Sequence, residues 1–186
     1  MAFTVVYDAC VLFPAPLRDL LIRIGHASLV RARWTEQILD EVFRNIKLRR
    51  PDLNDASLQR TRALMNAAVR DSLVTGYEQL IDGLTLPDKD DRHVLAAAVR
   101  SGAQIIVTSN LRDFPDDALK AFGIEAQSPD EFVLNLLDLA PGAVAAIVSK
   151  QAADLKNPPH TRDQLLETLI ANGLVRSVAK LRELFA

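Results

Sequence analysis

Short apolar runs of strand length alternate with helix-patterned segments over residues 1–126, and few folds accommodate that order. Phe3-Thr-Val-Val-Tyr7 and Gln104-Ile-Ile-Val-Thr108 are the clearest runs; Ser28-Leu-Val-Arg-Ala-Arg33 and Gly123-Ile-Glu-Ala126 are weaker ones. Helical patterns cover residues 17–24, 35–49, 54–69, 88–101 and 116–122. Strands alternating with helices build a parallel sheet covered by helices on both faces, so an α/β domain is expected over residues 1–126.

From residue 127 the pattern is helical alone. Ser128-Pro-Asp-Glu131 supplies an N-cap, a proline at the first helical position and an acid at the third. Pro141-Gly142 interrupts the helix it starts, Asn157-Pro-Pro-His160 makes a second break, Thr161 and Gln164 form a capping-box pattern, and Asn172-Gly173 reads as a helix stop. Residues 127–186 are therefore expected to form an all-helical extension of three or four segments.

Composition excludes several function classes. A chain of 186 residues, 49% hydrophobic, has enough apolar surface to bury a substantial core. No apolar run approaches the roughly 20 residues that cross a bilayer, and the start lacks the pattern of a signal peptide. A cytoplasmic location with no membrane partner is expected. The single Cys10 has no internal disulfide partner, no Cys/His spacing resembles a zinc site, and Cys10 reads as a small core hydrophobe. A net charge of -2 argues against coating nucleic acid by bulk electrostatics. Local patches remain: Arg44, Lys47, Arg49 and Arg50 fall within seven residues, with Arg31 and Arg33 shortly before them. A solvated helix end and a phosphate-binding patch explain that cluster equally well.

Four acid-bearing stretches carry the chemistry. Asp8 closes the first apolar run, and Thr108, Ser109 and Asn110 follow a later one; in a parallel sheet both places lie at the carboxyl ends of strands, where ligands collect. Capping the next segment is an equally ordinary role for Asp8. On the helix over 35–49, Ile38, Leu39, Val42, Phe43 and Ile46 form one apolar stripe, with Asp40 and Glu41 just outside its opposite edges; helical geometry leaves both open. Asp91 shares a face with Val94, Leu95 and Ala98, which aims an acid at the core; Asp88 as N-cap with Asp91 at the third helical position would also explain it. Asp90 points away from that stripe, and His93, nearly opposite Asp91, is expected to be exposed. Asp113 follows Asn110 by three residues, and an Asx turn would account for both. Carboxylates brought together repel unless a cation neutralises them, so a converging set implies a hard ion such as Mg²⁺ or Mn²⁺.

These stretches, in this order, resemble the PIN-domain ribonucleases of the VapC toxin type. The resemblance rests on the strand ending in Asp8, Ile38-Leu-Asp-Glu-Val42, Asp91-Arg-His-Val-Leu-Ala-Ala-Ala98 and Ile106-Val-Thr-Ser-Asn-Leu-Arg-Asp-Phe114, and it covers residues 1–126. It implies a PIN-like parallel sheet of four to five strands flanked by helices. It further implies Asp8, Glu41 and Asp91 as the acidic, metal-holding residues, preferring Glu41 to Asp40, with Thr108 orienting the site. Asn110 stands where the family commonly has Asp; that removes one charge and puts a second metal in question unless Asp113 or Asp90 compensates. The helical extension resembles that of a longer subgroup. Expected by this resemblance are metal-assisted hydrolysis of RNA and a cognate antitoxin as partner; the local charge of Arg44, Lys47, Arg49 and Arg50 makes them the candidates to position the RNA backbone, and a second copy of the chain is a further partner. A PIN fold serving only as an RNA- or protein-binding module is the alternative. Haloacid-dehalogenase-like phosphatases also place an Asp after the first strand, but they need an acid two residues on, where this chain has Cys10.

Overall fold

The structure is a computed structural model that describes residues 2–186. Its centre is a four-stranded sheet of β1 (Thr4–Tyr7), β2 (Arg31–Arg33), β3 (Ile105–Val107) and β4 (Glu125–Gln127), in the spatial order β2-β1-β3-β4. Every pairing is parallel: Val5 lies opposite Ala32, Val6 opposite Ile106, and Ile106 opposite Ala126. All four residues of β1 are buried, as expected of a strand with helices on both faces. The two edge strands start later and are shorter than their apolar runs suggested.

Between the strands run α1 (Ala9–Leu12), α2 (Ala15–His26), α3 (Glu36–Arg49), α4 (Asp55–Ala68), α5 (Arg92–Ser101) and α6 (Asp116–Leu119). Thr35 starts α3 by accepting the Ile38 N–H at 3.0 Å, and the expected stripe of Ile38, Leu39, Val42 and Phe43 is buried. Helix α5 stops at Gly102, whose φ of +64° suits the left-handed turn into β3. One expectation fails at its start. Residues 88–91 form a turn rather than the first helical turn, because Asp88 Oδ1 accepts the Asp90 N–H at 2.9 Å and closes a local loop.

The extension forms four helices, α7 (Pro129–Leu139), α8 (Pro141–Asp154), α9 (Arg162–Ala171) and α10 (Val175–Phe185). Ser128 caps α7 by accepting the Glu131 N–H at 3.2 Å; Thr161 and Gln164 complete both bonds of a capping box; Gly173 ends α9 at a φ of +93°. These helices share the core of the sheet. Phe132 on α7 lies edge-on to Tyr7 on β1, with ring centres 6.0 Å apart. Gln151 on α8 donates to the Pro16 carbonyl at 3.0 Å, and Arg23 on α2 bridges Asp19 and Asp154 at 3.0 and 2.9 Å.

Because Phe132 is 2% exposed and packed edge-on against Tyr7 of a central strand, truncating it leaves a cavity in the core. Phe132→Ala is expected to destabilise the whole chain by about 3–5 kcal/mol in urea unfolding. A loss confined to a separate, earlier transition of the extension would show that the helices do not share the sheet's core.

Candidate active site

Asp8 is the first residue beyond β1, and its backbone N–H still donates to Val107 of β3, at 3.1 Å. The capping role open to it in the sequence is realised on one oxygen, and the other is held by donors from its own helix and from the end of β3. Oδ1 accepts the Ala9 N–H at 2.7 Å and caps α1, while Oδ2 accepts the Thr108 hydroxyl at 2.7 Å and the Cys10 thiol at 3.2 Å. Thr108 is fully buried; its Oγ1 in turn accepts the Asn110 N–H at 3.0 Å. Cys10 is more than a small core hydrophobe. Its Sγ accepts the Ser109 N–H at 3.3 Å, and burial, then the Asp8 charge, pushes the thiol up to about 12, so it stays a neutral donor.

The structure separates the two acids on α3. Asp40 is exposed and bound to Arg62 of α4 at 2.5 Å, together with Glu36. Glu41 is half-buried on the other side, where burial first, then the charges of Asp8 and Asp90, raise its carboxyl above the usual range; Arg44 opposes that rise. Asp91 occupies the cap position of α5 yet makes no capping bond, so the capping-box explanation does not apply. Its carboxyl is pushed up to about 7 by burial first, then by Asp8, Asp88, Asp113 and Glu41. Carboxylates from four separate stretches thus feel one another.

His93 departs from expectation. It is 4% exposed, its Nε2 lies 3.9 Å from Glu41 Oε2, and its Nδ1 is buried without a hydrogen-bond partner among the described residues. Burial depresses its basicity, against the pull of Asp8 and Asp90. It therefore joins the acid group as a neutral neighbour. Asp113 is half-buried beside Arg112, 3.7 Å away, while Asp90 and Asn110 are exposed.

The basic residues of α3 divide. Lys47 is tied to the Leu53 carbonyl and to Asp55, and Arg50 is paired with Asp52 at 2.7 Å. Arg49 lies over the Phe13 ring, 5.1 Å from its centre, and Arg44 is the one whose charge reaches Glu41. Among the described residues, no three His, Cys, Asp or Glu side chains already stand as a group able to hold a metal ion. What fits a hard divalent ion is the chemistry of the donors: oxygen ligands whose mutual repulsion such an ion would relieve.

The structure is of the class of parallel α/β folds with helices on both faces, in which ligands collect at the carboxyl ends of the strands, where this chain gathers its acids. Within that class the chain belongs to the PIN-domain family, whose model matches residues 4–112. A second model, the VapC50 C-terminal domain, matches residues 129–183. A relative named "Putative ribonuclease VapC50" from Mycobacterium tuberculosis (strain ATCC 25618 / H37Rv) is 46% identical over 110 residues, covering 59% of this chain and 64% of the relative. The chain thus spans less than two thirds of that relative's length. No solved structure matches. Among the described residues, no helix is long and apolar enough to cross a membrane.

Two consequences follow from the geometry. In metal-free protein Asp91 holds a proton that the unfolded chain releases near 3.8, so its contribution to stability is full below about 3.8 and is lost as pH rises through about 7. Thermal melts in EDTA are expected to show stability falling over that window, with the slope reduced in Asp91→Asn. Separately, Thr108→Val strips Asp8 Oδ2 of its shortest donor and leaves the Asn110 N–H without its acceptor. It is expected to cost about 1–3 kcal/mol in urea unfolding, with Thr108→Ser recovering most of the loss.

Proposed function

We propose that the chain is a metal-dependent endoribonuclease that hydrolyses RNA phosphodiester bonds, acting as the toxin of a toxin–antitoxin pair. The observation that carries the reading is the convergence of Asp8, Glu41 and Asp91, remote in sequence, with Asp91 pushed up to about 7 by burial first and then by its acidic neighbours. Perturbed acids gathered at strand ends are the mark of a working site. Membership of the PIN family and the name of the Mycobacterium relative support the same class.

In this reading Asp8, Glu41 and Asp91 hold Mg²⁺ or Mn²⁺, with Asp113 and Asp90 as nearby charge and Asn110 as a neutral oxygen donor. The ion supplies Lewis acidity, acidifying water and neutralising charge on the scissile phosphate. The chain's own residues do the positioning. Thr108 and Cys10 fix Asp8 by donating to its Oδ2, and the buried wall around His93 excludes water from one side of Glu41. Arg44 is the basic residue best placed to meet an RNA phosphate, since Lys47 and Arg50 are engaged by acids of their own. Residues 1–126 carry the chemistry and residues 127–186 form the extension packed on it. An antitoxin that restrains the nuclease and a second copy of the chain are the protein partners of this reading.

The test is incubation of the purified chain and of Asp91→Asn with total cellular RNA plus Mg²⁺ or Mn²⁺, followed by mapping of new 5′ ends. Discrete cuts abolished by EDTA and reduced at least about 100-fold in the variant are expected. Metal binding without cuts would instead assign a non-catalytic PIN fold that binds RNA or protein.

A further inference from the structure

Strand β2 is an edge strand, and around its outer side gather arginines that outnumber the acids there. Arg31 is exposed and Arg33 half-buried; with Arg70 and His26 they line a cleft of about 1010 Å³. A neighbouring cleft of about 320 Å³ shares Arg33 and adds Arg100. Asp71 is the one acid lining either cleft. Several cations elsewhere are neutralised, as in the pairs of Arg23, Lys47, Arg50, Arg62 and Arg182, while unpaired ones such as Arg44 and Arg49 do not line these clefts. Arg31, Arg33, Arg70 and Arg100 form no ion pair among the described residues. In a chain of net charge -2, such an uncompensated cluster is a local feature that bulk charge does not explain.

Backbone strain falls at the same place. Ser28 and Asp71, with φ of 59° and 55°, are the non-glycine residues in the left-handed region among the described residues, and both line the larger cleft. Conformations of that kind persist where the surroundings hold them, and they gather at ligand sites. The cleft is also set apart from the acids. It opens beside Ala2, Ser28 and Val30, at the amino ends of β1 and β2, whereas Asp8 and Thr108 follow the carboxyl ends of β1 and β3.

We infer that this arginine cleft binds the phosphate backbone of single-stranded RNA at a distance from the acidic group. The inference rests on the reading of the chain as a ribonuclease. Phosphates are repelled by the carboxylates at one end of the sheet, so a long RNA needs attraction elsewhere to stay bound. Arginine forks meet phosphate oxygens in pairs, a geometry that suits backbone recognition. Neutralising phosphates there releases condensed counterions, which makes the contribution readable as a salt dependence.

The experiment measures fluorescence anisotropy of a labelled single-stranded RNA of mixed sequence with the full chain in EDTA, across a NaCl series. The wild type is compared with Arg31→Ala/Arg70→Ala, two exposed positions, and a thermal melt confirms that the variant folds. The variant is expected to lose roughly 1.4 from the slope of log K against log salt, about 0.7 for each lost contact, and to bind about 10-fold more weakly near 0.1 M salt. An unchanged slope overturns the inference. So does displacement of the RNA by polyglutamate at equal charge concentration, which assigns the cleft to an acidic protein. A wild type that cleaves RNA while the variant keeps the full slope overturns the inference alone; cleft-dependent binding without cleavage overturns the nuclease reading and leaves the inference standing.

Discussion

The register of β1 against β3 is the constraint on which the site depends. Tyr7 lies opposite Val107, so the next residues out of each strand, Asp8 and Thr108, emerge side by side. The 2.7 Å hydrogen bond between them closes the ladder with side chains where the backbone leaves off. A slip of one residue would send the Thr108 hydroxyl to the opposite face of the sheet and leave Asp8 with the thiol alone. Buried aromatic contacts hold that register in place. The Tyr7 ring stacks on Trp34 at 6.4 Å and meets Phe132 edge-on, so the helical extension helps to fix the strand that carries the first acid.

Much of this was legible in the sequence because it depends on local patterns. The parallel strands and the capping of α7 and α9 follow from spacing and cap chemistry. What spacing left open was settled by partners far along the chain. Asp40 and Glu41 flank one apolar stripe symmetrically, and only Arg62, on the next helix, breaks the symmetry by taking Asp40. His93 was misjudged for a related reason. Helical periodicity assigns the face opposite the core to solvent, but α5 is buried at every position from His93 to Ala98, enclosed by the sheet on one side and by the turn Glu78–Gly83 on the other. Cys10 carried no signal beyond its size; its hydrogen bonds exist because Ser109 and Thr108 come from the neighbouring strand.

Charge is distributed along the sheet in opposite senses. Carboxylates gather at the carboxyl ends of the strands, and arginines without partners line the outer edge of β2 towards the amino ends. Each cluster alone is unfavourable, since like charges raise the energy of the folded state. Placed apart, they leave the net charge small while presenting separate fields, one suited to a cation and the other to an anion.

The acids are not equivalent in how they are held. Asp8 accepts three hydrogen bonds through its two oxygens and is 4% exposed, whereas Glu41 and Asp91 accept none among the described residues and remain half-exposed. One carboxylate is therefore held by hydrogen bonds on both oxygens and two are not. Magnesium demands near-ideal octahedral geometry at about 2.0–2.1 Å, which a fully rigid cage meets only by accident. In the proposed nuclease Asp8, held by three hydrogen bonds, would define where an ion first binds, and Glu41 and Asp91 would complete its shell, the ion offsetting the burial and then the like-charge repulsion that raise their proton affinity.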